Sequence, residues 1–303
     1  MARHRRRLAS LSVVLLVVLC GLAPVESATV ELRYETSPGL EGLSEQLAEM
    51  DPESLDRVVR LVGLENPGGP IRVVLADERT EAARSAPRWV SGYALSRESV
   101  VVLLPERILS YPHGSLEEVL RHELAHVLIA RAAGQRPVPR WLNEGLAMIA
   151  GSAWGFGDRS RVAMALILNR ERPLAEIDRL FRESPSEVKD AYALAGAFTH
   201  DLLQRHGPDT AADLLELMSS GRAFGQAFRE VTGRSVAEAE SSFWRRYSIW
   251  YRWVPLLTSS TTLWMAITVL ALLAFRRRRA RDRLLRERWL AEELFEEPGE
   301  GAQ

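Results

Sequence analysis

The chain has 303 residues and a formal net charge of −1. The length allows one large domain or two small ones with appendages, and the near-neutral balance gives no reason to expect a nucleic-acid partner. Cys20 is the only cysteine, so no disulfide can form within the chain and the fold must rest on its core.

Residues 1–27 read as a secretory signal. Arg3, Arg5, Arg6 and Arg7 form a basic start, residues 11–19 an apolar run, and Val25-Glu26-Ser27 before Ala28 a cleavage region. An uncleaved anchor is the alternative. Leu19 argues against acylation of Cys20, because small residues are preferred just before such a site. Residues 28–254 then form an extracytoplasmic domain. Within it, 29–35 alternates as a strand, and 41–64 has helical spacing interrupted near Asp51-Pro52. Residues 66–70 form a loop and 71–76 a β-prone run. Residues 89–96 and 99–104 pair as a hairpin around Arg97-Glu98.

The next element carries the chemistry. Ser115 with Glu118 three positions later is a capping box, and Leu116, Val119, Leu120, Leu124, Val127 and Leu128 follow at helical spacing. Gly134, Pro137 and Pro139 end the helix. Inside it lies His122-Glu123-Leu124-Ala125-His126. At about 100° per residue the two histidines share a face one turn apart and can reach one ion. Glu123 lies on a neighbouring side, able to face a metal-bound water without ligating the metal. A second helix starting near Trp141 would return antiparallel and present Glu144 as the third ligand. Asn143 is the competing choice, but an amide is a poor zinc ligand beside a carboxylate. An exposed helix charge is the bland reading of Glu144, and two satisfied core histidines that of the pair.

After Pro208 the chain reads as short helices, with Phe228, Val231, Phe243 and Trp244 as core. Residues 255–275 carry no charge, and 21 residues of helix span about 31 Å, a bilayer core. Trp250, Tyr251 and Trp253 precede this run and Arg276 to Arg279 follow it. These flanks favour a transmembrane helix over a buried core helix, with a cytoplasmic tail at 276–303 by the positive-inside rule.

HELAH at 122–126 followed by WLNEGLA at 141–147 resembles the gluzincin metallopeptidases. The pattern is close to their aminopeptidase N-type branch and most similar to the bacterial peptidase MA-like proteins. The resemblance covers roughly residues 70–247, with strong motifs from about 118 to 150. It implies zinc held by His122, His126 and Glu144, with Glu123 as general base. The segment 191–198 is similar to one in which a tyrosine stabilises the tetrahedral oxyanion, which implies that role for Tyr192. A tyrosine packed in a helical core is the alternative. Three departures stand out. Residues 89–94, where the exopeptidase motif Gly-x-Met-Glu-Asn would fall, contain no Met-Glu-Asn. The spacing from His126 to Glu144 is one residue shorter than usual in that branch. Ala147 and Met148 stand where thermolysin-type enzymes carry an aspartate behind the zinc ligands.

The expected fold class is α+β. A zincin-like (thermolysin-type) catalytic domain would have a β-rich N-terminal part and a helical C-terminal part, followed by the transmembrane helix. Residues 89–95 are the candidate edge strand for pairing with a substrate backbone, an internal strand being the alternative. The expected function is that of a zinc-dependent peptidase, an endopeptidase rather than an aminopeptidase. It would be held by one helix in the bacterial cytoplasmic membrane and act outside it on peptide or protein substrates. A catalytically weak or inactive domain serving as a surface binding module is the second reading. An intramembrane protease is disfavoured, because Arg121 and Arg131 bracket the motif.

Overall fold

The computed structural model describes residues 30–108, 114–151, 172–181, 185–258 and 260–296. The secretory reading of 1–27 lies outside these residues.

The first strand, β1 (Leu32–Thr36), is followed by helices α1 (Glu41–Ala48) and α2 (Pro52–Val62). The break between the helices has a local cause. Asp51 caps α2 by accepting a bond from the Glu53 N–H, and Pro52 occupies the first helical position, where no N–H is needed. Gly63 closes α2 at φ 71°, where an added Cβ would lie 2.4 Å from Ala212 Cβ. Both the left-handed turn and the close approach require glycine.

The chain then alternates between strand and helix: β2 (Ile71–Leu75), α3 (Glu81–Ser85), β3 (Gly92–Leu95) and β4 (Val100–Leu103). The sheet order is β1-β2-β4-β3, with β1, β2 and β4 parallel and β3 antiparallel to β4 at one edge. The β3–β4 hairpin is where the sequence placed it. The expected β-rich front is corrected to a mixed α/β arrangement. Parallel neighbours cannot be joined by a tight turn and need a crossover; α1 and α2 supply it between β1 and β2. Val101 and Leu103 point into the main core, while Val100 and Val102 meet Ala76, Ala83 and Leu104 on the other face. The sheet is thus covered on both sides, which explains a strand reading Val-Val-Val-Leu rather than alternating.

Helix α4 (Leu116–Ala132) packs on the main face of the sheet. Ser115 accepts from the Glu118 N–H, and Glu118 Oε2 accepts from the Gly114 N–H at 2.7 Å. Leu120, Leu124, Val127 and Leu128 are buried, each stabilising the fold by about 1.5–3 kcal/mol. Helix α5 (Arg140–Ala150) runs antiparallel to it: Gly151 lies against Glu118 and His122, while Glu144 lies against His126.

The remaining described helices are α6 (Ile177–Leu180), α7 (Pro185–His206), α8 (Thr210–Ser219), α9 (Phe224–Thr232), α10 (Val236–Thr258) and α11 (Ser260–Glu296). Trp141, Phe198, Phe228 and Phe243 meet edge-to-face and join α5, α7, α9 and α10. Phe228, Phe243 and Trp244 are buried as expected, and Val231 packs against them half-buried.

The expectation of a transmembrane helix at 255–275 is not met among the described residues. Of residues 255–275, those up to Thr258 belong to α10 and those from Ser260 to α11, and residue 259 lies outside the described residues. Ser260, Thr261 and Thr262 open α11, and its apolar stretch occupies 263–275, about 20 Å of helix, against about 30 Å of bilayer core. Among the described residues no helix is long and apolar enough to cross a membrane.

Candidate metal centre

The site is built on two helices. From α4, His122 and His126 bring their Nε2 atoms to 3.2 Å from each other, with the rings at 86°. From α5, Glu144 Oε2 lies 3.7 Å from His122 Nε2 and 3.6 Å from His126 Nε2. His122, His126 and Glu144 are the group that could hold a metal ion among the described residues. The dimensions agree with that use. Donors about 2.0–2.1 Å from one tetrahedral ion lie about 3.3 Å apart. The surroundings agree as well. Glu144 Oε2 and His126 Nδ1 are buried, and neither makes a hydrogen bond. A buried carboxylate oxygen without a donor is costly, and a cation between it and the two imidazoles would remove that cost.

The electrostatics without a metal follow from the packing. Burial pushes the Glu123 carboxyl above the ordinary carboxylate range and Glu144 adds to the rise, although His122 and His126 pull it down. Burial also opposes ionisation of Glu144, but His126, His122 and Arg140 outweigh it and hold that carboxyl below the range. His122 is disfavoured as a cation by burial. Glu144, Glu123 and the Ala147 carbonyl overcome this, and its pKa is raised. The two carboxylates, on neighbouring helices, are driven in opposite directions.

Glu123 is buried next to the histidines but outside the ligand group. The strand β3 lies against it. A Cβ added to Gly92 would stand 2.7 Å from Val119 Cγ1 and 3.2 Å from Glu123 Cγ. Further along, Ser96 Oγ donates to the His126 carbonyl at 3.2 Å. The edge strand therefore runs beside α4 from the level of Glu123 to that of His126.

Tyr192, half-buried on α7, has its ring centroid 6.1 Å from that of His122. All five residues singled out in the sequence are thus in one neighbourhood. Two neighbours were not anticipated. Arg140 Nε lies 3.6 Å from Glu144 Oε1, and its guanidinium sits 4.3 Å above the Phe181 ring. Phe181 in turn meets Tyr192 edge-to-face at 4.9 Å. The i, i+4 spacing from Arg140 to Glu144 was a readable signal; nothing local pointed to Phe181.

Residues 67–249 match the Peptidase MA superfamily. The chain belongs to that superfamily. No curated protein matches it in sequence. For a Peptidase MA domain the His-His-Glu group is the expected kind of feature, and the general activity suggested is that of a metal-dependent peptidase.

Proposed function

We propose that this Peptidase MA protein is a zinc-dependent peptidase of the gluzincin arrangement, cleaving internal bonds of peptide or protein substrates. The observation that carries the reading is the convergence of His122, His126 and Glu144 beside a buried carboxylate that is not a ligand. Zinc fits two imidazoles and one carboxylate, leaving a position for water; it would supply Lewis acidity, lowering the pKa of that water and polarising a carbonyl.

The chain's own residues do the rest. Glu123, with its raised pKa, accepts a proton from the attacking water and passes it to the leaving amine. Its proton affinity is raised above an exposed glutamate's by burial, in the direction a general base needs. The Tyr192 hydroxyl would donate to the negative charge that develops on the carbonyl oxygen. The strand β3, at the edge of the sheet among the described residues, would offer its backbone to an extended substrate. Pairing through backbone, and the absence of Met-Glu-Asn near Gly92, support an endopeptidase over an aminopeptidase. The basic and apolar run of residues 1–27 supports delivery of the domain out of the cytoplasm.

The test is cleavage of an unfolded protein by the purified chain with zinc, and by Glu123→Gln. The expected result is metal-dependent cleavage in the wild type, a loss of about 10²–10⁴-fold in the variant, and unchanged zinc content in both. Zinc bound without cleavage in either protein would favour a binding module.

A further inference from the structure

We propose that Arg140 is a positioning residue for the Glu144 carboxylate and, through Phe181, for Tyr192. The proposal rests on the metallopeptidase reading above. The Glu144 oxygens are divided between two directions. Oε2 faces both histidine Nε2 atoms, and Oε1 faces Arg140 Nε at 3.6 Å. A carboxylate whose second oxygen is engaged by a cation turns only one oxygen to an ion. The orientation of Glu144 is then fixed before metal arrives.

Local helix physics does not explain an arginine at this place. Residue 140 is the first of α5, where the helix dipole disfavours a cation. An arginine four residues ahead of a glutamate is also the less favourable order for a helical ion pair. The gain must come from tertiary partners, and these are present. The guanidinium stacks 4.3 Å above Phe181, Phe181 meets Tyr192 at 4.9 Å, and Tyr192 meets His122 at 6.1 Å. Contacts therefore run from one ligand, Glu144, through Arg140, Phe181 and Tyr192, to another, His122. Planar stacking and a charge-bearing edge are both used, and lysine offers only the charge.

The experiment is zinc affinity by competition with a chromophoric chelator, together with thermal unfolding of the metal-free proteins. The expected result for Arg140→Ala is affinity weakened about 10–100-fold, with partial recovery in Arg140→Lys and little change in metal-free unfolding. Phe181→Leu keeps an apolar side chain but removes the stacking, and should give an intermediate affinity; it also serves if Arg140→Ala folds poorly. Wild-type or tighter affinity in Arg140→Ala, or in Phe181→Leu where only that variant folds, overturns the proposal. So does a loss confined to metal-free stability. A wild-type chain that takes no zinc ends the metallopeptidase reading as well, whereas zinc held equally by wild type and Arg140→Ala ends this proposal alone.

Discussion

Tyr192 separates chemistry from packing at the scale of single residues. Its ring touches both His122 and Phe181, so removal of the whole side chain would disturb the site whatever its role. Tyr192→Phe removes only the hydroxyl. If that hydroxyl donates to the developing oxyanion, kcat falls by about 10²-fold or more, while KM, zinc content and thermal midpoint stay near wild type. Steady-state kinetics on a fluorogenic peptide would read this, and an unchanged kcat would return Tyr192 to the core. The motif His-Glu-x-x-His was legible because its spacing alone places two imidazoles on one helix face. Glu144 was legible because few carboxylates could return to that face. Phe181 was not, because its contacts with Arg140 and Tyr192 depend on helices that approach only in three dimensions, whereas the i, i+4 spacing of Arg140 and Glu144 was a signal left unread.

Helix α5 presents Glu144 at the correct height only because it can approach α7 closely. Gly145 makes this possible: a Cβ there would stand 2.0 Å from Thr199 Oγ1 and 2.5 Å from the Ala195 carbonyl. One of these atoms is backbone and cannot rotate away. Gly145→Ala should therefore push the helices apart, costing about 1–3 kcal/mol by overpacking and lowering metal affinity with it. A thermal midpoint equal to that of wild type would contradict the packing. A second device holds the segment before the edge strand. Arg107, largely buried, bonds Glu78 and the carbonyls of Ala83, Ala86, Pro87 and Val90. The hydrogen bond from Arg107 holds the Glu78 carboxyl below its ordinary range. A depressed carboxylate stabilises the fold at pH above its unfolded value, and that contribution is lost as pH falls through the depressed value. Glu78→Gln should lower the thermal midpoint near neutral pH, and the gap to wild type should close on acidification. A gap that is constant with pH would show that the pair is not what links them. The hairpin and α4 were readable from alternation and capping. The parallel order of β1, β2 and β4 was not, since strand pairing is set by the crossover helices rather than by the strands' own residues.

Over the whole molecule, the sheet and α4 form a covered α/β half, and α5 with the helices beyond it forms the other wall of the site. The sequence located the strands, the helix of His122 and His126 and the helices that follow, but its fold class of a β-rich front before a helical back is corrected to a mixed α/β arrangement. It weighted the strands over the helices α1, α2 and α3 that lie between and beside them, and so named the front β-rich. It also read 255–275 as one span, because a count of uncharged residues does not register that Thr258 to Thr262 are hydroxyl-bearing and leave 263–275 as the apolar stretch, too short to cross a membrane. Metal binding would couple these halves, because its donors come from α4 in one and α5 in the other. The most direct check is zinc per chain by elemental analysis after exhaustive dialysis, for wild type beside Glu144→Ala. About one ion per wild-type chain, and far less in the variant, is the result expected of a three-ligand site. No zinc in the wild type, or equal zinc in the two proteins, would contradict it.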